Sequence, residues 1–167
     1  MSGPGPATRD IFLRPGEWYF GSGAVRLRTT LGSCVAIVLW HPRLKLGGMC
    51  HYMLPNRSDR GSQPLNGRYA DEALELLLGE VRRSHTQPGD YEFKLFGGAN
   101  MFPSGQRRPD DVPARNVAEA LALMHEHGLP VKAQSLGGEG YRQLVFDLES
   151  GALWMRQGHE PAPHGTP

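Results

Sequence analysis

The sequence has almost no net charge and no long apolar run, and these two absences exclude several classes of function. Its 18 Lys and Arg residues are balanced by 17 Asp and Glu residues in a chain of 167. A balanced charge favours neither a nucleic-acid partner nor an acidic tail. No stretch reaches the roughly 20 apolar residues that cross a bilayer, and the N-terminal residues lack a signal-peptide pattern. We therefore expect a cytoplasmic protein without membrane insertion.

Cysteine is scarce, and familiar cofactor motifs are absent. The two cysteines, Cys34 and Cys50, are expected to be reduced in the cytoplasm, so no disulfide between them is expected. Neither a dinucleotide-binding glycine fingerprint nor a P-loop lysine occurs. Cys34, Cys50 and His51 make a weak zinc set, because residues 50 and 51 point to opposite faces of a strand and a fourth ligand is lacking. The sequence predicts no metal or organic cofactor.

The length and the 39% hydrophobic content predict a single domain over residues 1–167. Residues 1–9 and 157–167 carry Gly, Pro and His without periodicity and are expected to be flexible. Helical periodicity indicates one helix over residues 69–83 and a second over residues 116–127, separated by several short strands. Segregated helices and strands indicate an α+β fold with mixed or antiparallel sheets. In the second helix we expect Asn116 as the N-cap, and Val117, Ala120, Leu121 and Met124 on the inner face.

A turn in residues 29–34, TTLGSC, delivers Cys34 to the start of an apolar strand. Pro42 and Arg43 are typical of a tight turn, after which the chain is expected to return as a strand through His51. With these two residues at the centre of the turn, directly opposed residues have numbers that add to 85, among them Cys34 and His51. Such residues share a face with Cβ atoms about 4.5–5.5 Å apart, so the thiol and the imidazole are expected to meet.

A thiol beside an imidazole is the pair on which cysteine hydrolases depend. The imidazole accepts the thiol proton, and the thiolate attacks a carbonyl carbon. Thr29 and Thr30 are the local candidates for orienting the imidazole, while the amides around Ser33 and Cys34 are candidates for stabilising an oxyanion. The alternative interpretation of Cys34 is a core thiol, because free cysteines are among the most buried residues.

Three further features each allow two interpretations. The polar loop at residues 56–66 is a solvated connection or a lid, and we favour the connection. Gly97 and Gly98 either line the site or only form a turn. Arg142 is either a solvated or ion-paired strand residue or a substrate clamp, and the first is the commoner role.

Two motifs, LGSCV at residues 31–35 and GGMCHYMLP at residues 47–55, resemble the CheD family of chemoreceptor glutamine deamidases. Further motifs follow in that family's order: YAD at residues 69–71, FGGANMF at 96–102, ARNV at 114–117, and a Gly pair at 137–138 followed by Arg142. The resemblance covers residues 25–155. It implies a cysteine-hydrolase fold, in which helices pack against a β-sandwich.

The resemblance also implies residue roles and an activity. Cys34 matches the nucleophile and His51 the general base, while Thr29 matches the third residue, with Thr30 as the alternative. The implied enzyme is a bacterial protein-glutamine glutaminase that converts receptor glutamines to glutamate and ammonia through a thioester, contributing to chemotaxis adaptation. The implied substrate is the cytoplasmic helical region of a chemoreceptor, and a CheC-type phosphatase is a further implied partner.

Two other functions fit the same residues. In a transglutaminase, an amine instead of water would resolve the thioester formed at Cys34. In a non-catalytic adaptor, the chain would act by binding a CheC-type phosphatase. Loss of ammonia release in a Cys34→Ala variant would distinguish the hydrolase from the adaptor.

Overall fold

The structure of the chain is a computed structural model that describes residues 7–102 and 111–159. Within these residues the elements are the strands β1 Arg9–Phe12, β2 Trp18–Gly21, β3 Val25–Leu31, β4 Val35–Trp40, β5 Gly47–Cys50, β6 Glu92–Gly97, β7 Val131–Leu136, β8 Tyr141–Asp147 and β9 Leu153–Gly158, and the helices α1 Ala70–Arg83 and α2 Val112–Glu126. In this part of the chain, no helix combines the length and the apolarity that a membrane crossing requires.

The strands form two sheets, and the helices cover one face of the larger sheet. The four-stranded sheet has the order β1-β3-β8-β9, and the five-stranded sheet the order β2-β5-β4-β6-β7. Pairing is antiparallel except between β1 and β3 and between β6 and β7. One apolar cluster lies between the sheets, and a second lies between the five-stranded sheet and the helices. The prediction of an α+β fold with mixed sheets, a β-sandwich and packed helices is confirmed.

The burial patterns of β3 and β4 follow from these layers. In β3 alternate residues are buried, because one face meets the other sheet while the opposite face is partly exposed. In β4 nearly every residue is buried. Its odd-numbered residues contact the helices, and its even-numbered residues pack between the sheets. The apolar run after Cys34 is therefore a central strand with a core on each side.

Helix α1 is close to its prediction. It begins one residue later than expected, at Ala70, and ends at Arg83 as expected. Its apolar stripe is buried against the five-stranded sheet, as Leu74 and Leu77 show with no exposed surface. Acidic residues in the first turn and arginines in the last turn complement the helix dipole.

Helix α2 begins four residues before the predicted start. It opens at Val112 with Pro113 in its first turn, where a missing amide N–H costs nothing. Asn116 is therefore not the N-cap but an interior residue with no exposed surface. The prediction that Leu121 faces inward is also wrong, since 42% of it is exposed. The buried face consists of Asn116, Ala120, Leu123 and Met124.

The hairpin between β4 and β5 has a different register from the predicted one. Paired residues such as Leu39 and Gly48 have numbers that add to 87 instead of 85. The turn is wider because the backbone N–H of His41 donates to the carbonyl of Leu46, leaving four residues between them. The imidazole of His41 supports this wider turn, since its Nδ1 accepts a hydrogen bond from the Leu44 amide.

Strand pairing reaches into both terminal segments for which flexibility is expected. Arg9 lies in β1 and pairs with Val25 of β3. Gln157 and Gly158 lie in β9, where Gln157 pairs with Arg142 of β8. Backbone pairing to a neighbouring strand holds these residues although their composition lacks periodicity. Residues 1–6 and 160–167 lie outside the described residues.

Candidate active site

Cys34 ends a tight segment, the cysteine turn (residues 32–34), that joins the two sheets. All three carbonyl oxygens of this turn accept hydrogen bonds from other parts of the chain. The Gly32 oxygen accepts from the Ala99 amide at 3.0 Å, and the Cys34 oxygen from the Gly98 amide at 2.8 Å. The Ser33 oxygen accepts from Nδ2 of Asn116 at 3.1 Å. The cysteine turn is therefore held through each of its peptide groups.

Gly97 and Gly98 make this close approach feasible. Gly97 has φ 117° and Gly98 φ 72°, which are values that favour glycine. A Cβ atom at Gly97 would overlap the carbonyl of Cys34, and one at Gly98 would overlap the side chain of Val117. The glycine pair therefore does both things that were considered for it. It forms a turn, and this turn lies against the site because it supports the cysteine turn.

The Cys34 thiol is half-buried beside the apolar cluster between the sheets. Burial raises its pKa to about 11, and a hydrogen bond with the Ser33 side chain only partly opposes this rise. Burial is the larger of the two effects, so the thiol pKa lies above its ordinary value of 9.0. At neutral pH Cys34 is therefore a thiol, not a thiolate.

His51 lies between the sheets, with only 2% of its surface exposed. Its backbone N–H donates to the Glu17 carbonyl and its carbonyl accepts from Gly16, so the segment before β2 holds it in place. Burial lowers the pKa of the imidazole to about 4, against the opposing effects of the Leu13 backbone and the Glu17 charge. The ring is neutral at neutral pH.

The hydrogen bonds of Thr29 determine which nitrogen of the neutral His51 ring carries the proton. Its Oγ1 lies 2.7 Å from Nδ1 of His51 and donates to the Leu13 carbonyl at 2.8 Å. A hydroxyl has one hydrogen and a carbonyl can only accept, so Oγ1 must accept a hydrogen bond from Nδ1–H. The proton is therefore on Nδ1, and Nε2 keeps the lone pair that a general base needs.

Strand alternation separates the two threonines that the sequence left as candidates. Thr29 is 1% exposed and faces the other sheet, where it meets His51. Thr30 is the next residue of β3 and therefore points to the opposite, outer face. Of the two, Thr29 is the one placed to orient the imidazole.

Cys34 and His51 share a face of the five-stranded sheet for a reason that differs from the predicted pairing. The Val35–Tyr52 bridge continues the hairpin register, which sets His51 opposite Ala36 and Cys34 two residues away. A register shift of two residues preserves the face, whereas a shift of one would reverse it. Diagonal neighbours are about 7–8 Å apart at the backbone, farther than a direct pair. Within residues 7–102 and 111–159, no hydrogen bond joins the thiol to the imidazole.

Arg142 does not follow its favoured interpretation as a solvated or ion-paired residue. It is 3% exposed and its guanidinium donates to the carbonyls of Gly97, at 3.3 Å, and Gly137, at 2.7 Å. A third bond reaches Oγ of Ser135 at 3.0 Å. Arg142 extends from the four-stranded sheet and holds both glycine turns of the other sheet. Its role is to fix the support of the cysteine turn.

The loop at residues 56–66 is anchored to α1. Arg57 forms a bidentate ion pair with Glu72, with bonds of 2.9 and 2.8 Å, and its guanidinium stacks over the ring of Tyr69. Further bonds from the same guanidinium reach Gln63 and Pro64 of the loop. These contacts support a fixed connection more than a mobile lid.

Asn116 is the residue of this site that the sequence did not reveal. Its Nδ2 donates both to the Ser33 carbonyl and, at 2.9 Å, to the Met53 carbonyl. The amide thereby joins the residue before Cys34 to a residue shortly after His51. Its position before a helical pattern indicated a cap, and only the three-dimensional arrangement shows its partners.

Comparison with known proteins gives a uniform result. The family model described as CheD chemotactic sensory transduction matches residues 53–157. A protein named probable chemoreceptor glutamine deamidase CheD from Pseudomonas fluorescens (strain SBW25) is 51% identical over 156 residues, which are 92% of this chain and 86% of that protein. A probable chemoreceptor glutamine deamidase CheD 1 from Chromobacterium violaceum is 44% identical over 164 residues, 95% of this chain and 85% of that protein.

A more distant relative extends the likeness. The probable chemoreceptor glutamine deamidase CheD 1 of Leptospira interrogans is 36% identical over 156 residues, which are 89% of this chain and 92% of that protein. The family model begins after Cys34 and His51. The similarity to the Pseudomonas fluorescens protein, in contrast, spans so much of the chain that both residues lie within it.

Proposed function

Because the chain belongs to the CheD family, we propose that it is a chemoreceptor glutamine deamidase that uses Cys34, His51 and Thr29. The relatives are named for this activity and are similar over nearly their whole length. The observation that carries the residue assignment is the Thr29–His51 hydrogen bond, which leaves Nε2 of a neutral imidazole unprotonated on the face that Cys34 shares. A buried histidine held in this tautomer suits a general base.

The reaction begins when the Cys34 thiol transfers its proton to Nε2 of His51 while its sulfur attacks the substrate. The sulfur attacks the side-chain amide carbon of glutamine, and the carbonyl electron pair moves to oxygen. The imidazolium then protonates the nitrogen. The oxygen electron pair re-forms the carbonyl, the C–N bond breaks, and ammonia departs. A thioester remains on Cys34. Water, deprotonated by the same Nε2, hydrolyses the thioester to glutamate and restores the thiol.

The pKa values of the pair determine when the proton moves. A thiol of pKa about 11 and an imidazole of pKa about 4 do not form an ion pair at neutral pH. Proton transfer therefore accompanies the attack on the substrate and does not precede it. Charge develops only when a substrate carbonyl is present, which limits side reactions of the free thiol.

The glutamate that the reaction forms differs from glutamine in charge and in reactivity. A glutamate in place of a glutamine adds a negative charge to a receptor helix and provides a carboxylate that can be methylated, as chemotaxis adaptation requires. The receptor region that the family resemblance implies is cytoplasmic, and we place the enzyme in the same compartment. A CheC-type phosphatase is a proposed partner on that resemblance alone.

The test is incubation of a chemoreceptor cytoplasmic fragment with the purified protein. Mass spectrometry should show a gain of about 1 Da per converted glutamine, with release of one ammonia. Cys34→Ala should abolish both signals, whereas Cys50→Ala, a matched change of a buried thiol on the other face of the sheet, should keep them. Conversion by Cys34→Ala at the wild-type rate would refute the nucleophile assignment. Ammonia release with a larger mass gain from an added amine would indicate transglutamination.

A further inference from the structure

Asn116 holds the one peptide group of the cysteine turn that precedes the proposed nucleophile. Its Nδ2 lies 3.1 Å from the Ser33 oxygen and 2.9 Å from the Met53 oxygen. Two carbonyls can only accept hydrogen bonds, so the amide nitrogen and not its oxygen must face them. Oδ1 has no hydrogen-bond partner among the residues that the structure describes. The two donated bonds therefore set the orientation of this side chain.

The direction of the Ser33 carbonyl fixes the direction of the next amide N–H. The chain has no cis peptide bond in its described parts. In a planar trans peptide the carbonyl and the following N–H point in opposite directions. The Ser33 carbonyl points towards α2, which covers the helix-facing side of the five-stranded sheet. The N–H of Cys34 therefore points away from the helix, towards the side where the Cys34 thiol and His51 lie.

Among the described residues, no backbone carbonyl competes with a ligand for that N–H. The neighbouring carbonyls of Gly32 and Cys34 accept hydrogen bonds from Ala99 and Gly98, so the rest of the turn cannot rotate freely. None of the backbone hydrogen bonds within residues 7–102 and 111–159 uses the N–H of Ser33 or Cys34 as a donor. A fixed amide beside a nucleophile is the usual element of an oxyanion hole.

We propose that Asn116 is a positioning residue that aims the Cys34 N–H at the oxyanion formed during attack by the Cys34 thiol. The proposal builds on the deamidase function but concerns any carbonyl that Cys34 attacks. When the S–C bond forms, the carbonyl π electrons move onto oxygen, and this oxygen accepts a hydrogen bond from the Cys34 N–H. Asn116 does not touch the reacting atoms and acts only through the Ser33–Cys34 peptide.

Two chemical probes separate this role from a general effect on the thiol. 4-Nitrophenyl acetate acylates a thiol through an oxyanion and releases 4-nitrophenolate when the C–O bond breaks. Iodoacetamide alkylates the same sulfur by displacing iodide from a saturated carbon, without an oxyanion. The part of each rate that depends on Cys34 is obtained by subtracting the rate of Cys34→Ala. A loss of oxyanion stabilisation lowers the first rate and spares the second.

Asn116→Leu keeps the side-chain size and removes the donor. We expect its acylation rate, and its kcat on a receptor fragment, to fall about 10- to 100-fold, with KM and alkylation within about twofold of wild type. Tyr52→Phe is the matched control, because the Tyr52 hydroxyl donates to the Asn116 backbone carbonyl and not to the cysteine turn. It should preserve both rates. Asn116→Ser is a second variant that removes the same bonds with a smaller, polar side chain.

Several results would overturn the proposal. Equal losses of acylation and alkylation would show that Asn116 acts on the position of the thiol or on folding. Unchanged acylation would show that Asn116 does not position the Cys34 N–H. Labelling of the buried Cys50 reports unfolding, so its exposure in both Asn116 variants would assign the residue to folding alone. If wild type is acylated at Cys34 but converts no receptor glutamine, the proposed deamidase function is refuted. The ratio of the acylation rate to the alkylation rate then still decides the role of Asn116.

Discussion

The two faces of the five-stranded sheet are both buried, but they hold different kinds of side chain. The helix-facing side is an apolar cluster that contains Cys50 and the inner residues of α1. On the opposite side, the apolar cluster borders a polar group made of Thr29, His51 and Arg142, each at most 3% exposed. Every one of these three side chains has a hydrogen-bond partner. Polar groups are tolerated at such burial because their partners compensate for lost hydration.

The two cysteines show what this difference means for chemistry. Burial raises the pKa of Cys34 to about 11 and that of Cys50 to about 12. Their acidity is therefore similar, and it does not distinguish a nucleophile from a core thiol. Cys34 is partly exposed and shares a face with a neutral imidazole, whereas Cys50 has no exposed surface. Access and a nearby base distinguish the two thiols.

The strongest test of the polar face removes its nucleophile and base separately and together. His51→Ala and Cys34→Ala should each lower kcat by about 1,000-fold or more, because general base and nucleophile act in one step. The double variant should be scarcely slower than either single variant. Rates of ammonia release from a receptor fragment give the comparison. Multiplicative losses would indicate that the two residues act independently.

The apolar face should respond in stability and not in catalysis. Leu77 has no exposed surface in the helix-facing cluster, and Leu77→Ala should lower the free energy of unfolding by about 2–5 kcal/mol. Urea denaturation measures the change, and the kcat of the folded fraction should remain near that of wild type. A large fall in kcat at full folding would show that the two faces are not independent.

Sequence reasoning reached features that local patterns determine. Helical periodicity predicted helix α1 to within one residue of its observed start. Thr29 and Thr30, in contrast, both remained candidates until the observed alternation of β3 separated them. The hairpin register was missed because a histidine side chain, His41, stabilises a four-residue turn that Pro42 and Arg43 do not reveal. Asn116 and Arg142 were misassigned because their partners are backbone carbonyls from distant segments. Residue type alone does not identify such partners.

The pH dependence of stability offers a test of the buried imidazole. The pKa of His51 is lowered from 6.5 to about 4, so the unfolded state binds a proton that the folded state refuses between these values. The contribution of His51 to the free energy of unfolding is therefore fully present above about pH 6.5. It is lost as the pH falls towards 4, which lowers the free energy of unfolding by up to about 3 kcal/mol. The difference in unfolding free energy between wild type and His51→Gln isolates this contribution, since other groups cancel. A difference that does not vary between pH 7 and 4 would contradict it.

A smaller effect is expected from Thr29→Val, which removes the hydroxyl but keeps the branched shape. Without Oγ1, Nδ1–H of His51 loses its acceptor at 2.7 Å, and the tautomer with the proton on Nε2 is no longer disfavoured. Only one of the two tautomers presents a basic Nε2 to the thiol. We expect kcat to fall about 10- to 100-fold with KM little changed, as measured by ammonia release.

Thr30→Val is the control, because it makes the same chemical change one residue away on the outer face of β3. It should leave kcat at the wild-type value, while Thr29→Ser should restore most of the activity that Thr29→Val loses. The Leu13 carbonyl also loses a donor in Thr29→Val, so a purely structural role would lower stability and kcat together. Imidazole ¹⁵N chemical shifts separate the two explanations, since they report directly which ring nitrogen carries the proton. An unchanged Nδ1–H tautomer in Thr29→Val would mean that Thr29 does not set the protonation of His51.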